Sequence, residues 1–261
     1  MCELLGMSAN VPTDICFSWA GMMNRGGATG PHKDGWGIAF YEGRGIREFR
    51  DPAPSYTSEI ARFVRNYPIK SETVISHIRQ ANVGNICLEN THPFIRELHG
   101  SYWCYAHNGQ LQNFTELPLG QFRPVGTTDS EHAFCWLLQQ IAGEVPTTAS
   151  SAELGAVLHR CCRTLSDYGV FNMLLSNAQT LFVYCSTKLH WITRRAPFGK
   201  AQLQDNELTV NFAEHTTPTD VVSVIATEPL TTNETWTALA PGELIAFAAG
   251  EVVGRWPATR D

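Results

Sequence analysis

The second half of the chain is a succession of short apolar segments separated by turn-forming residues, and this pattern constrains the fold most strongly. Strands are predicted at residues 171–176, 181–186, 190–193, 207–212, 221–226 and 243–248, with a return strand from residue 250. Most connections are short, and strands well outnumber helices in this half. The pattern therefore predicts antiparallel sheet with helices on the outer faces, rather than a doubly wound parallel sheet.

The first half of the chain mixes strands and helices. Its composition predicts strands at residues 35–41, 73–78 and 101–107, and helices at residues 57–67, 130–142 and 152–165. Thr57 or Ser58 is expected to cap the first helix, and Asp129 or Ser130 to begin the second. Residues 143–151 resemble a linker, but they separate two helical patterns of similar composition. A single domain over residues 1–261 is therefore expected.

Charge and composition exclude several classes of partner. The formal net charge is −6 and there is no basic run, which argues against nucleic-acid binding. No apolar stretch approaches the roughly 18–20 residues that a membrane helix needs, and the first residues do not resemble a signal peptide. The eight cysteines are therefore expected to be reduced thiols in the cytoplasm, with no membrane partner.

Cofactor and metal motifs are missing from the sequence. The Gly199-Lys200 pair has no glycine loop before it, and the glycines at 35 and 37 lack the third glycine of a dinucleotide fingerprint. Histidines and cysteines cluster between residues 87 and 107, but their spacing matches no familiar zinc site. We therefore expect no cofactor and no metal.

Cys2 is the residue with the greatest chemical potential, and two interpretations of it are open. It can be a small buried hydrophobic residue at the start of a strand. Alternatively, removal of Met1 leaves a free α-amine beside the Cys2 thiol. An α-amine has a pKa of about 7.7–8.0, so it can take the thiol proton and later return it. The second interpretation predicts an N-terminal nucleophile.

Four further residues supply groups that acyl transfer needs, although each also has an ordinary structural interpretation. Asn108 and Gly109 follow a predicted strand, and a tight turn there would direct an amide and a backbone N–H outward as oxyanion donors. The same pair can be a plain hairpin turn. Arg79 is either a carboxylate clamp or a surface residue at a strand end. Asp129 either binds an ammonium group or caps a helix.

Seven short motifs, taken in order, resemble the class II glutamine amidotransferases, which are the cysteine branch of the N-terminal-nucleophile hydrolases. Within that family the chain is most similar to the stand-alone YafJ-type proteins. The motifs lie in the first half of the chain, at residues 1–6 (MCELLG), 25–27 (RGG), 34–38 (DGWGI), 76–79 (SHIR), 90–94 (NTHPF), 106–109 (AHNG) and 128–131 (TDSE).

The resemblance implies a fold and a role for each site residue. The implied fold is a four-layer α-β-β-α sandwich, an α+β fold with two antiparallel sheets between helix layers. Cys2 would be the nucleophile, and Asn108 and Gly109 would form the oxyanion hole. Arg79 would bind the α-carboxylate of glutamine, and Asp129 its α-ammonium. Residues 80–82 (QAN) depart from the Trp-Ala-Thr-His that several members carry, so those roles are not transferred.

Three functions remain open at the level of sequence. In the first, the protein cleaves the γ-amide of glutamine through a Cys2 thioester and releases glutamate and ammonia. Well-known members pass the ammonia to a synthase domain; here one domain is expected to fill the chain, so an acceptor would be a separate subunit. In the second, the substrate is a γ-glutamyl peptide or other γ-glutamyl compound. In the third, a retained Met1 blocks the α-amine and leaves a silent γ-glutamyl-binding subunit. The oligomeric state and the roles of His92 and His107 stay open.

Overall fold

The computed structural model describes residues 2–67, 70–81, 84–205, 209–211 and 217–258. Within these ranges, two large antiparallel sheets and four α-helices form the protein. The antiparallel arrangement predicted from the strand pattern is therefore confirmed.

The first sheet contains seven strands in the part of the chain that the structure describes, and β1 lies at its centre. Residue Leu5 of this strand is opposite Ser76 on one neighbour and Ala226 on the other. The strands, in spatial order, are β13 (Thr237–Ala238), β9 (His190–Arg195), β12 (Val221–Ala226), β1 (Glu3–Asp14), β4 (Lys70–Ile78), β2 (Trp36–Glu42) and β3 (Gly45–Asp51).

The second sheet contains six strands within the described ranges. Its β6 and β7 pair over a long register, in which Asn108 is opposite Asn172. The strands, in spatial order, are β15 (Glu251–Trp256), β14 (Glu243–Ala248), β8 (Leu181–Cys185), β7 (Gly169–Ser176), β6 (Ser101–Leu111) and β5 (Phe94–Leu98). A separate two-stranded ribbon joins β10 (Lys200–Gln202) to β11 (Thr209–Asn211).

The helices cover the outer faces of the two sheets. They are α1 (Cys16–Arg25), α2 (Glu59–Asn66), α3 (Asp129–Glu144) and α4 (Ser151–Asp167), and 3₁₀ turns occupy Leu88–Asn90 and Phe114–Glu116. The side chains of Ser58, Thr128 and Ser150 cap α2, α3 and α4 by accepting backbone N–H groups. None of the helices described is long and apolar enough to cross a membrane.

Three apolar cores fix the order of the layers. One packs α1 and α2 on the first sheet, with Trp19 and Trp36 at its centre. Another packs α3 and α4 on the second sheet, around Phe134 and Leu158. The third lies between the two sheets, where Leu4 and other aliphatic side chains meet. This stacking is the four-layer α-β-β-α sandwich implied by the resemblance, and that prediction is confirmed.

The structure corrects the sequence predictions in three places and leaves a fourth prediction partly outside the described residues. The tight turn predicted at Asn108-Gly109 is wrong, because both residues lie within β6, where they pair with β7. Helix α3 begins at Asp129, as predicted, but its N-cap is Thr128, so the interpretation of Asp129 as a helix cap is wrong. Helix α1 was not predicted, because most of its residues are buried and no polar face reveals its period. Of the strand predicted at 207–212, only Thr209–Asn211 falls within the described residues, and it is a strand.

Candidate active site

A small open cavity of about 30 Å³ lies where the start of β1 approaches the end of β6. Cys2, Arg79, Gly109 and Asp129 all contribute to its wall. These residues are up to 127 positions apart in the chain, and the fold brings them together. Asn108 is not part of the wall, although it contacts Cys2 directly.

Cys2 lies immediately before β1 and is held against the segment that follows β4. Its Sγ accepts a hydrogen bond from the Gln80 backbone N–H at 3.3 Å, and the thiol is 3.5 Å from the Gln80 carbonyl oxygen. Burial raises the pKa of the Cys2 thiol, and the hydrogen bond from Gln80 only partly opposes this. The thiol is therefore protonated at neutral pH and needs a base before it can attack a carbonyl.

Asn108 holds the backbone of the Cys2 residue. Its Nδ2 donates to the Cys2 carbonyl oxygen at 2.6 Å and to the Thr227 hydroxyl at 3.3 Å. The same hydroxyl accepts the backbone N–H of Leu4 at 2.9 Å. The Asn108 side chain is buried, and its Oδ1 has no hydrogen-bond partner among the described residues. Asn108 therefore joins β6 to the residue that carries the thiol.

Gly109 occupies a position where no side chain fits. A Cβ atom built on Gly109 would lie 1.8 Å from the carbonyl oxygen of Val170 on the paired strand, far inside van der Waals contact. The glycine therefore allows β6 and β7 to approach closely at the edge of the cavity. Gly109 of the Asn-Gly pair predicted as a turn is therefore needed for this strand pairing.

Arg79 follows β4 and is fixed through both its backbone and its side chain. Its backbone N–H donates to the Gly35 carbonyl at 2.8 Å, and its own carbonyl accepts the Asp34 N–H at 3.2 Å. Gly35 has φ +116°, a conformation that favours glycine. The guanidinium donates to the carbonyl oxygens of Asn85 at 2.9 Å and Gly84 at 3.4 Å. Only 3% of Arg79 is exposed, so its charge is held in a low-dielectric wall.

Asp129 is the first residue of α3, and its carboxylate points toward the end of β6. Its Oδ2 accepts the backbone N–H of Leu111 at 2.7 Å. The residue is buried and contributes to the same cavity wall as Arg79. The cavity wall thus contains both a cationic and an acidic residue, an arrangement that suits a zwitterionic ligand.

Two histidines also contribute to the cavity wall. Both ring nitrogens of His107 are hydrogen-bonded. Nε2 donates to the Val170 carbonyl at 3.1 Å. Because a neutral imidazole has only one N–H, Nδ1 accepts from the Ser130 hydroxyl at 2.8 Å. Burial lowers the pKa of His107, although the charge of Asp129 acts in the opposite direction. His107 is therefore a neutral side chain that joins β7 to α3. The second histidine, His92, is also buried, and its ring centroid lies 4.2 Å from that of His77.

Comparison with known proteins of similar sequence identifies the family of this chain. The family profile described as class II glutamine amidotransferases matches residues 1–260. This chain belongs to the class II glutamine amidotransferases. It is 59% identical to the YafJ protein of Escherichia coli K12, which carries the name of a glutamine amidotransferase, over 97% of this chain and 100% of that protein. The resemblance to stand-alone YafJ-type members is therefore confirmed.

Solved structures agree with this amidotransferase fold. The crystal structure of a predicted glutamine amidotransferase from Pseudomonas aeruginosa is 56% identical, with a TM-score of 0.79, and covers 97% of this chain and 100% of that one. A glutamine phosphoribosylpyrophosphate amidotransferase from B. subtilis has a TM-score of 0.63 at 14% identity, over 100% of this chain and 50% of that one. The second likeness concerns the fold alone.

One further residue, Asn172, supports the candidate site and is not among those predicted from the sequence. Asn172 donates to the Asn108 carbonyl at 3.0 Å, and its Oδ1 accepts the N–H groups of Ser186 and Thr187 at 3.0 and 3.1 Å. A polar residue inside an otherwise apolar strand was the available signal. Among the described residues, no group of three or more His, Cys, Asp or Glu side chains is placed to hold a metal.

Proposed function

We propose that the protein is a glutaminase-type amidohydrolase that cleaves the γ-amide of glutamine or of a related γ-glutamyl compound. The observation that carries this proposal is the meeting of the Cys2 thiol, the Arg79 guanidinium and the Asp129 carboxylate at one small cavity. The two charges suit the α-carboxylate and α-ammonium of a γ-glutamyl group, and the thiol suits attack on its side-chain amide.

Binding of the zwitterionic end orients the scissile amide. Arg79 would donate to the α-carboxylate and Asp129 would accept from the α-ammonium. Both side chains are buried and tied to backbone groups, so they are preorganised and lose little freedom when the substrate binds. A substrate without the free α-amino and α-carboxyl groups would lose both of these contacts.

The chemistry begins with the base that Cys2 requires. Removal of Met1 exposes the α-amine of Cys2, which takes the thiol proton, and the thiolate attacks the γ-carbonyl carbon. The Gly109 N–H and the Asn108 amide would stabilise the oxyanion. Collapse breaks the C–N bond, and the α-ammonium gives its proton to the departing ammonia. A γ-glutamyl thioester remains, and water hydrolyses it to glutamate.

The oxyanion role of Asn108 requires one movement. Its Nδ2 already donates to the Cys2 carbonyl and the Thr227 hydroxyl. To stabilise an oxyanion, the amide must redirect one N–H from these partners to the substrate. The short hydrogen bond of 2.6 Å between Asn108 Nδ2 and the Cys2 carbonyl oxygen would keep the Asn108 side chain aligned with the nucleophile while one N–H changes partner.

A γ-glutamyl substrate panel tests the proposal. Protein freed of Met1, as verified by intact mass, is expected to release glutamate from glutamine or from a γ-glutamyl peptide; kcat/KM across the panel identifies which. Arg79 and Asp129 would contact the same γ-glutamyl end of glutamine and of a γ-glutamyl peptide. A difference in kcat/KM between these substrates therefore reports on the leaving group. Cys2→Ser should abolish turnover, while the control Cys16→Ser, at a similarly half-buried cysteine on α1, should retain it.

Two results would contradict the proposed function. One is equal activity of Cys2→Ser and wild type. The other is equal activity of protein that retains Met1, because its α-nitrogen would be an amide and not a base. Binding of γ-glutamyl compounds without turnover by Met1-free protein would favour the silent γ-glutamyl-binding subunit instead.

We also propose the molecular setting of this reaction. Residues 1–261 would form one domain, because the core between the sheets joins strands from both ends of the chain, such as Leu4 and Phe247. A single unfolding transition is expected. In the cytoplasm, the ammonia would either be released or pass to a separate synthase subunit.

A further inference from the structure

A second group of polar side chains lies beside the nucleophile cavity, and the mechanism above does not use it. We call His77, His92 and Tyr105 the histidine cluster. His77 comes from β4 and Tyr105 from β6, and His92 precedes β5. The ring centroids of His77 and His92 are 4.2 Å apart, and those of His92 and Tyr105 are 6.4 Å apart. All three side chains are buried.

The histidine cluster has an unusual excess of unbonded polar atoms. Both ring nitrogens of His92 and the hydroxyl of Tyr105 find no hydrogen-bond partner among the residues described, and neither ring nitrogen of His77 makes a well-formed one, although a backbone group of His107 acts on its pKa. Leaving one buried polar group unsatisfied costs about 1–3 kcal/mol, so native proteins pair such groups with protein atoms or with water. Neighbouring His107 shows the usual situation, since both its nitrogens are bonded.

The charge state of the cluster defines what it can bind. Burial lowers the pKa values of His77 and His92 well below the ordinary value, and the positive charge of Arg79 adds to the effect on both. Each ring is therefore neutral and offers one N–H donor and one acceptor. Burial and the positive charge of Arg79 also disfavour a bound cation at this position. The cluster thus suits a small neutral molecule that both donates and accepts hydrogen bonds, and water meets these conditions.

The position of His92 connects the cluster to the reaction. His92 belongs to the cavity wall that also contains Cys2, whereas His77 and Tyr105 lie behind it. We propose that the histidine cluster holds the water that hydrolyses the γ-glutamyl thioester, and that His92 is the residue that positions it. This inference rests on the proposed function and concerns its second half.

Hydrolysis of the γ-glutamyl thioester needs no reactant other than this water. The water oxygen forms a bond with the thioester carbonyl carbon while one of its protons moves to the Cys2 α-amine. The other hydrogen is donated to the unprotonated ring nitrogen of His92, which orients the oxygen lone pair. The C–S bond then breaks, its electron pair goes to Sγ, and Sγ takes the proton from the α-ammonium. Glutamate and the free thiol are the products.

A competition between two acyl acceptors tests this role. Methoxyamine is larger than water and would reach the thioester from the open side of the cavity, where it forms a γ-glutamyl methoxyamide. His92→Phe removes the water's partner, so hydrolysis should slow and the ratio of methoxyamide to glutamate should rise about two- to tenfold. The kcat/KM for ammonia release reports acylation and should stay within about twofold, because Arg79, Asp129 and Cys2 are unchanged.

Two further variants keep the proposal testable if His92→Phe does not fold. Tyr105→Phe removes only the hydroxyl and keeps the ring stacked on Phe134 at 4.8 Å; it should raise the ratio in the same direction but less. His92→Gln retains a donor and an acceptor and should return the ratio toward wild type. The matched control is His159→Phe, at a half-buried histidine on α4 whose Nε2 bonds the Gly242 carbonyl, and it should leave the ratio unchanged.

The outcomes separate this inference from the proposed function. An unchanged product ratio in both His92→Phe and Tyr105→Phe would overturn the inference, and so would an equal loss of both products in His92→Phe, which indicates a purely structural role. Wild-type protein that releases neither glutamate nor methoxyamide would overturn the proposed function itself. A crystal structure that shows ordered water bonded to the His77 and His92 ring nitrogens would support the inference without reference to activity.

Discussion

The guanidinium of Arg25 offers the most quantitative test of how the fold holds the nucleophile segment. It donates to Glu3 at 3.0 Å and to Asp205 at 2.7 Å, and it also bonds the carbonyl oxygens of Glu228 at 3.2 Å and Pro229 at 2.8 Å. Only 7% of Arg25 is exposed, and Glu3 is adjacent to Cys2. The perturbation is Arg25→Met, which keeps much of the side-chain volume and removes the charge.

The expected cost follows from the charge that is left behind. Removing one partner of a buried ion pair typically destabilises a protein by about 3–5 kcal/mol. Burial raises the pKa of Glu3 even though Arg25 opposes the shift, so loss of Arg25 should raise that pKa further. A carboxyl group whose folded pKa lies above its unfolded value loses its contribution as pH rises through the folded pKa. The defect should therefore be larger at about pH 8 than at about pH 5.

Urea unfolding at both pH values measures the effect. In Glu3→Gln/Arg25→Met the uncompensated Glu3 carboxylate is gone while that of Asp205 remains, so part of the lost stability should return and the pH dependence should flatten. The control is Arg62→Met, which breaks an exposed ion pair with Glu59 and should cost less than about 1 kcal/mol. A loss below about 1 kcal/mol for Arg25→Met, or an equal loss at both pH values, would refute the reasoning.

Three further predictions follow from the site. Asn108→Asp removes an oxyanion donor and should lower kcat by about 10²–10³-fold; full activity would exclude that role. Gly109→Ala places a methyl group against the Val170 carbonyl and should cost about 1–3 kcal/mol in thermal unfolding, and a neutral result would contradict the close approach. Burial lowers the pKa values of His77 and His92, so the stability that these neutral rings contribute is complete above about pH 6.5. As pH falls below this value, the free energy of unfolding should decrease by about 1.4 kcal/mol per pH unit for each ring. Urea unfolding at several pH values should give a pH dependence that is smaller by one ring's share in His77→Phe than in wild type, and an equal pH dependence would disprove the lowered pKa of His77.

Local patterns were sufficient to predict most of the secondary structure. The strands β12 and β14 match the predicted ranges, because short apolar segments bounded by turn residues carry their own signal. Helix α1 was missed because it is buried on most of its surface. At Asn108-Gly109 the local turn preference is overridden by pairing with β7, an interaction between residues about 60 positions apart that no local window contains.

The candidate site was predicted in a different way. Taken one at a time, Cys2, Arg79 and Asp129 each had an ordinary structural explanation, and the ordered set of motifs pointed to their combined role. The structure adds that they share one cavity. It also adds contacts that depend on strand register, such as Asn108 with Cys2 and Asn172 with Asn108. Because register is set by long-range packing, such pairs cannot be read from the sequence.

Covalent labelling of Cys2 tests the central claim most directly. Met1-free protein is incubated with an electrophilic glutamine analogue, with and without excess glutamine, and the adduct is located by intact-mass and peptide analysis. The account predicts one adduct per chain, on Cys2, that glutamine prevents, and a much slower reaction in protein that retains Met1. Absence of labelling in fully processed protein, or an adduct on another cysteine that glutamine does not affect, would contradict it.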